Sequence, residues 1–383
     1  MADLPLPRSP RYLSLDFWRG VACLMVVVFH ASYYVRAEEE PAPFNSIFRG
    51  ISCLWLGVPM FFVISGYCIS AASDAARRKP RSVGYYFFRR FRRIFPPYWI
   101  AVGLTVVVVT IFTLAGRPDL FHHGWHDFPR PAWLSPIEWI GNLSLTEGWR
   151  GHLMGAEGVW FFGHAWSLGY EEQFYALCGL ILFTMPRRFF TGMILITLLA
   201  VLLRGASSLL GFPRSGLFFD GYWLLFAAGS LVYYNVNYAG LTGQRIGAAL
   251  LGLLLAASAL FLLQTRADFA VSLVVCFAFA LLLFALHKRD EAIHTSPWTR
   301  PVTFCGVMCY SLYLVHWPVT KAVSHGLYLA GVKGGMLTLL VTIPSCVAAS
   351  VAVARAFHVL VERRFLNTPA NTTIKNTRSE NAA

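Results

Sequence analysis

The chain has 383 residues, of which 56% are apolar, 15% are aromatic and only 13% are charged, and its mean hydropathy is +0.55. This is too little polar surface for a water-soluble protein of that length, so the composition predicts a polytopic membrane protein. The net charge of +13 does not indicate a nucleic-acid partner, because membrane proteins concentrate Lys and Arg in cytoplasmic loops and the chain carries no nucleic-acid-binding motif.

Ten apolar runs are long enough to cross a bilayer, which takes about 17 to 25 residues each. Placing the N-terminus inside puts most of the Lys and Arg in cytoplasmic segments. We therefore predict an all-α fold of about ten transmembrane helices with both termini in the cytoplasm. We expect one transmembrane domain over residues 1–366 and a polar, disordered cytoplasmic tail over residues 367–383. The runs fall at approximately residues 15–35, 46–72, 93–115, 163–185, 189–211, 217–236, 246–264, 268–287, 302–322 and 335–361.

The first run carries one Arg and one His that a purely structural span would lack. Arg19 and His30 are eleven residues apart, which places them on one helix face and about 16 Å apart along the axis. An ionisable group at membrane depth costs about 2.5 kcal/mol or more, and such groups tend to serve function. Two structural alternatives stay open: Arg19 reaching the cytoplasmic interface, and His30 as a packing residue.

Arginines cluster between the second and third runs. Arg90 and Arg93 would lie one helical turn apart, and we expect Pro96 and Pro97 to break the helix just beyond them. Guanidinium groups bind phosphate oxygens through two hydrogen bonds, so the pair suits a cytosolic, multiply phosphorylated donor such as a coenzyme A thioester. Contact with anionic lipid headgroups is the alternative interpretation.

The sequence shows no metal-binding motif, either in the long connection at residues 116–162 or among the cysteines. His122, His123 and His126 lack carboxylates at ligand spacing, so we predict no metal site. The cysteines lie within or near apolar helices and are predicted to be free thiols. They are Cys23, Cys53, Cys68, Cys178, Cys276, Cys305, Cys309 and Cys346.

The fourth run begins with a polar stripe. His164, Ser167, Glu171 and Tyr175 recur at helical spacing and share one face. Polar stripes also join helices by hydrogen bonds. The adjacent carboxylates of Glu171 and Glu172 at membrane depth favour function over this structural role.

Six segments, in this order, resemble the membrane-bound acyltransferase 3 family. The usual ending of the family has a Pro soon after the Glu, whereas Glu362 is followed by Arg363, Arg364 and Phe365, so no role is carried over to Glu362. The segments are LDFWRGVACLMVVVFHA, with Asp16 and the R-x10-H spacing of Arg19 and His30, GVPMFFVISGY, RRFRRIFPPYW, HAWSLGYEEQFY, YSLYLVHWPV and FHVLVERRF.

The resemblance implies a transferase that moves an acyl group, commonly acetyl, from cytosolic acyl-CoA to a hydroxyl of a surface polysaccharide or lipid-linked glycan. The transfer would end at the outer face of the inner (plasma) membrane, with acyl-CoA as co-substrate and no bound cofactor. Acyl-CoA, the carbohydrate acceptor and membrane lipid are the expected partners. By position, Arg19 and His30 would be the essential pair, and Arg90 and Arg93 the cytoplasmic pair. Supporting residues would be Asp16, His164, Ser167, Tyr310, Ser311 and His316.

Acyl transfer to an alcohol needs a base near neutrality, and His30 fits this role. We expect Glu171 at the same depth, where its carboxylate would fix the His30 tautomer or stabilise the imidazolium. Arg19 would then bind a donor phosphate or polarise the thioester carbonyl. The sequence leaves open whether the acyl group first passes to His30 or Ser167.

Two other classes of protein stay possible at this point. A secondary transporter or flippase also has about ten helices and midplane charges, but those folds usually contain two related halves, and we find no internal repeat. A structural scaffold would not need Arg19, His30 and Glu171 inside the bilayer.

Overall fold

The computed structural model describes residues 6–8, 12–78, 83–118, 121, 129–155, 158–211 and 216–366. The regular elements in these ranges are all helical. Lys79, Arg81, the three loop histidines and the predicted tail lie outside the described residues. The α-helices are α1 Leu15–Ala31, α2 Phe44–Ser52, α3 Gly57–Ala76, α4 Val83–Leu114, α5 Pro136–Ser144, α6 Glu147–Met154, α7 Trp166–Thr184, α8 Phe189–Leu210, α9 Trp223–Asn237, α10 Leu241–Thr265, α11 Asp268–Leu286, α12 Asp290–Thr295, α13 Arg300–Val307, α14 Cys309–Leu329 and α15 Gly335–Arg364.

A helix covers each of the ten predicted apolar runs, but fewer of them qualify as membrane spans by themselves. Within the described residues, six helices are long and apolar enough to cross a bilayer. A seventh span results if α13 and α14, which meet at a bend of 73°, are counted together with the turn before them. The chain is thus a multi-pass membrane protein, and the ten spans and the orientation stay predictions.

Three of the predicted spans fall short for identifiable reasons. Helix α1 has 17 residues and α9 has 15, which places them at and below the lower limit of about 17 for a membrane span. Helix α7 has 19 residues, but Glu171, Glu172 and Gln173 in its first half make it too polar. These helices lie inside the bundle, where neighbouring helices replace lipid as the surroundings of their polar groups.

Helix α4 does not break at Pro96 and Pro97, as we expected from the sequence. It continues through both prolines to Leu114. Proline removes a backbone donor from the helix, yet the helix is maintained here. Two residues before Pro96, the Tyr310 hydroxyl on α14 donates a hydrogen bond to the carbonyl oxygen of Ile94 at 2.7 Å.

The first helix is anchored at its N-terminus. One carboxylate oxygen of Asp290 accepts a hydrogen bond from the backbone N–H of Leu13 at 2.5 Å, and the other accepts one from Ser14 at 2.8 Å. The Tyr12 hydroxyl donates to the carbonyl oxygen of Leu283 at 2.9 Å. A carboxylate at this position satisfies the amides of the two residues that precede α1 and complements the helix dipole, so Arg19 and His30 project from a fixed helix.

Helices α3 and α9 pack with their backbones in close contact at two glycines. A Cβ atom on Gly66 would lie 2.0 Å from the carbonyl oxygen of Phe226, and one on Gly229 would lie 1.9 Å from that of Val63. Small residues allow such close helix packing in membranes. Because α9 holds α3 by one face, the opposite face of α3 is held in place as a wall of the cavity described below.

We expect Gly229→Ala to lower the melting temperature of the detergent-purified protein, because its new methyl group forces α3 and α9 apart. Overpacking of this kind costs about 1–3 kcal/mol. Gly252→Ala on α10 is the matched control, since nothing lies within 4 Å of a Cβ there. Equal melting temperatures for the two variants would show that the α3–α9 contact tolerates expansion.

Candidate active site

One continuous cavity of about 1160 Å³ lies among α1, α3, α4, α7 and α14. All the site residues proposed from the sequence except Ser311 line it, so motifs from distant parts of the chain meet in one place. We call Arg89, Arg90 and Arg93 the arginine end, and His30, His164, His316 and Trp317 the histidine end. The predicted residues that line the cavity are Asp16, Arg19, His30, Arg90, Arg93, His164, Ser167, Glu171, Tyr310 and His316.

Arg90 is bound by both carboxylates of α7. Its Nη2 atom lies 2.9 Å from Glu171 Oε1 and 2.7 Å from Glu172 Oε1, and its Nε donates to Glu172 Oε1 at 2.8 Å. The guanidinium also lies over the Tyr175 ring, 5.0 Å from its centroid. Because only 11% of the Arg90 side chain is exposed, these contacts replace its hydration, and Arg90 joins α4 to α7.

Arg93 differs from Arg90, although the sequence predicted an equivalent pair. Its side chain is exposed to the cavity, and among the described residues it makes no ion pair. The charged groups around it are the guanidinium groups of Arg19 and Arg90 and the carboxylates of Glu362 and Glu171. A guanidinium in this position retains its donors for an anionic ligand.

Arg19 lines the cavity from α1, and its guanidinium is one of the charged groups around Arg93. Its Nη1 atom is 2.5 Å from Asp16 Oδ1, one turn earlier on α1, and its Nη2 is 3.0 Å from Cys68 Sγ on α3. Side-chain exposures of 27% for Arg19 and 38% for Asp16 show that the pair faces the cavity. Asp16 therefore balances the charge that Arg19 brings into the bundle.

Glu362 lines the cavity despite the unusual sequence that follows it. Its Oε2 atom accepts a hydrogen bond from Ser311 Oγ at 2.5 Å and lies 2.8 Å from His358 Nδ1. Ser311 is fully buried and reaches the cavity only through this carboxylate. The predicted supporting role of Ser311 thus becomes one of holding Glu362 in place.

The hydrogen bonds at the histidine end define the tautomers of two imidazoles. His30 Nδ1 lies 2.9 Å from the Val26 carbonyl oxygen, and His316 Nδ1 lies 3.1 Å and 2.8 Å from those of Leu312 and Tyr313. Because a carbonyl oxygen only accepts hydrogen bonds, Nδ1 carries the hydrogen in both rings. The Nε2 atom of each neutral ring is therefore a basic acceptor.

The three histidines are close neighbours. The ring centroid of His316 is 5.1 Å from that of His30 and 5.1 Å from that of His164. Trp317 packs its ring 4.6 Å from His30 and 5.7 Å from His164. His164 and His316, predicted only as supporting residues, thus share a pocket with the proposed base.

Glu171 is not the partner of His30, in contrast to our expectation from helix depth. Its carboxylate binds Arg90, and the imidazoles beside His30 come from His164 and His316. Glu171 follows His164 by seven residues, which is about 10 Å along a helix. This distance separates the carboxylate from the histidine end.

Two further predicted residues have structural hydrogen bonds. Ser167 Oγ donates to the carbonyl oxygen of His164 at 3.1 Å and lies 3.2 Å from the Tyr313 hydroxyl, which itself donates to that carbonyl at 2.8 Å. Tyr310 bonds to the α4 backbone, as described above. Ser167 is therefore hydrogen-bonded to a phenol and a carbonyl group. An activated serine nucleophile would instead be hydrogen-bonded to a base such as an imidazole.

Sequence reasoning missed three residues of the site: Cys68, Tyr313 and Trp317. Trp317 adjoins His316, which we singled out, so adjacency was the available signal. Tyr313 lies one turn before His316 on the same helix. Cys68 gave no signal, because its contact with Arg19 joins α1 to α3.

These features define a membrane protein with one cavity that joins an end lined by arginines to an end lined by three histidines. The chain belongs to the acyltransferase domain family (acyltransferase 3), which it matches over residues 12–355. It is therefore a membrane-embedded acyltransferase. The transporter and scaffold alternatives are not favoured by this membership.

Two relatives illustrate the similarity. The chain is 24% identical over 364 residues to the putative membrane-bound transacylase BcsY of Komagataeibacter xylinus, a match that covers 93% of this chain and 83% of the relative. It is 26% identical over 365 residues to the O-acetyltransferase OatA of Staphylococcus aureus, covering 82% of this chain. The chain spans about half of OatA, since the match covers 52% of it. No solved structure matches the chain significantly.

We predict that Arg90→Ala destabilises the protein, because it leaves two largely buried carboxylates without their cation. Removing one partner from a buried pair costs about 3–5 kcal/mol. A triple variant that adds Glu171→Gln and Glu172→Gln should recover much of the lost melting temperature. The control is Arg92→Ala, whose side chain is exposed and outside the cavity lining. An unchanged melting temperature in Arg90→Ala would contradict the structural role of this ion pair.

Proposed function

We propose that this acyltransferase moves an acyl group, in the simplest case acetyl, from acyl-CoA to a hydroxyl of a carbohydrate acceptor. The acceptor would be a surface polysaccharide or a lipid-linked glycan, and the membrane the inner (plasma) membrane. The observation that carries the proposal is that one cavity contains both an exposed guanidinium, which has no ion partner in the part of the chain that the structure describes, and a basic imidazole nitrogen. The O-acetyltransferase name of a relative agrees with an oxygen acceptor.

Coenzyme A phosphates would bind at the arginine end. Arg93 is exposed there, and Arg89 also lines the cavity. The repulsion among neighbouring guanidinium groups is relieved by a polyanion, which makes a phosphorylated donor a better ligand than a neutral one. With the N-terminus inside, this end faces the cytosol, where acyl-CoA is found.

The acceptor hydroxyl would bind at the histidine end. His30 Nε2 removes its proton while the oxygen attacks the thioester carbonyl carbon. The carbon–sulfur bond then breaks, and the coenzyme A thiolate takes the proton back from the imidazolium. This direct transfer needs no acyl carrier on the enzyme. The bonding of Ser167 to Tyr313 and a carbonyl supports the direct route.

We expect His30→Ala to reduce acyl transfer at least a hundredfold, the usual contribution of a general base. The measurement is the mass of the host's surface glycan in a strain that lacks the protein and carries either the wild-type or the variant chain. Wild type should restore the acyl mass increment and the variant should not, with equal amounts of protein in the membrane. Restoration by His30→Ala would remove this residue as the base.

Arg93→Ala should raise the KM for acetyl-CoA about tenfold or more while the protein keeps its melting temperature, because Arg93 forms no ion pair with any residue that the structure describes. Arg93→Lys should recover the affinity only in part, since an ammonium group cannot form the bidentate contact with phosphate. Arg92→Ala is the adjacent control outside the cavity. An unchanged KM for acetyl-CoA in Arg93→Ala would contradict donor binding at the arginine end and would favour contact with lipid headgroups instead.

A further inference from the structure

Sequence resemblance carried no role over to Glu362, yet this residue lines the cavity. Its side chain is only 3% exposed, so an acidic group is held inside the helix bundle. The backbone around it forms a π-helical turn over His358–Glu362, in which the N–H of Arg363 bonds the carbonyl oxygen of His358, five residues earlier. Such turns are rare within α-helices and occur often at functional sites.

The two hydrogen bonds that the protein makes to this carboxylate use the same oxygen atom. Glu362 Oε2 accepts from Ser311 Oγ at 2.5 Å and from His358 Nδ1 at 2.8 Å. Among the residues that the structure describes, none donates to Oε1. The two donors hold the side chain in place, so Oε1 is a positioned acceptor. Because a carboxylate oxygen accepts hydrogen bonds, the ligand group that completes Oε1 is an N–H or an O–H.

The surroundings of Glu362 indicate where on a ligand this donor lies. The carboxylate is one of the charged groups around Arg93, whose guanidinium forms no ion pair within the described ranges. A phosphate satisfies Arg93 through charge-assisted hydrogen bonds, whereas a carboxylate repels a phosphate. The ligand that suits both residues therefore has a phosphate for Arg93 and, next to it, a neutral segment with an N–H or O–H group for Glu362.

We propose that Glu362 is a specificity-determining residue for the neutral arm of the donor, an inference that rests on the proposed function. In a coenzyme A thioester the diphosphate is followed by the pantetheine arm, which carries a hydroxyl group and amide N–H groups before the sulfur atom. Glu362 Oε1 accepts a hydrogen bond from the first part of this arm while Arg93 binds phosphate. The contact distinguishes coenzyme A from nucleotides that have the phosphates but lack the arm.

The test compares two ligands that differ in this arm. Full-length protein in detergent is titrated by calorimetry with coenzyme A and with 3′-phosphoadenosine 5′-diphosphate, which keeps the base and every phosphate group but has no arm. We expect the wild type to bind coenzyme A about tenfold more tightly than the nucleotide, because a hydrogen bond to a charged group is worth at least that factor.

Glu362→Gln is the decisive variant, because Ser311 and His358 retain its single amide oxygen and turn the NH2 group towards the cavity. The acceptor thus becomes a donor, while the bonds that join α14 to α15 remain. We expect the preference for coenzyme A over the nucleotide to fall about tenfold, to near one, at an unchanged melting temperature. Loss of the charge affects the phosphates of both ligands and cancels in this ratio. Glu291→Gln is the matched control, because Glu291 is exposed and does not line the cavity, and it should keep the wild-type preference.

The outcomes separate this proposal from the proposed function. Equal affinities of the wild type for the two ligands, or an unchanged preference in Glu362→Gln, would overturn the assignment and leave Glu362 as a link between α14 and α15, while donor binding at the arginine end stands. Binding of neither ligand by intact wild-type protein would contradict the proposed donor itself. If Glu362→Gln is not recovered from the membrane, the double variant Ser311→Ala with Glu362→Leu removes the acceptor together with one of its donors, and it should lose the same preference.

Discussion

The ion pairs of Arg90 with Glu171 and Glu172 are the interaction on which the cavity depends. Two adjacent carboxylates inside a helix bundle are unstable without a cation, and Arg90 supplies one from α4. The pairing fixes α4 against α7 at a single rotation. As a result Arg93, one turn further along α4, is directed to the cavity and stays available for a ligand.

Much of this arrangement could be predicted from local sequence. The helical spacing of Arg19 and His30 predicted that both would face one side of α1, and both line the cavity. The polar stripe was also predicted to lie on one helix face. Its members all line the cavity: His164, Ser167, Glu171 and Tyr175. Such predictions succeed because a helix fixes the relation of residues three or four apart.

Contacts between helices were beyond local reasoning. Glu171 was assigned to His30 from estimated depth, but Glu171 lies about 10 Å along the helix from His164, and its carboxylate binds Arg90 from α4. Pro96 and Pro97 were expected to break the helix just beyond Arg93, but α4 continues through both of them. The contact of Cys68 with Arg19 joins residues 49 positions apart, and no spacing rule applies over that distance.

The charge balance of the cavity distinguishes between the two roles considered for Arg19. Its charge is offset by Asp16 at 2.5 Å, so it attracts a phosphate less strongly than Arg93, which makes no ion pair among the described residues. A guanidinium whose net charge is balanced still donates hydrogen bonds, and it can stabilise the negative charge that develops on a thioester carbonyl oxygen. Under the proposed function, this charge distribution favours phosphate binding by Arg93 and carbonyl polarisation by Arg19.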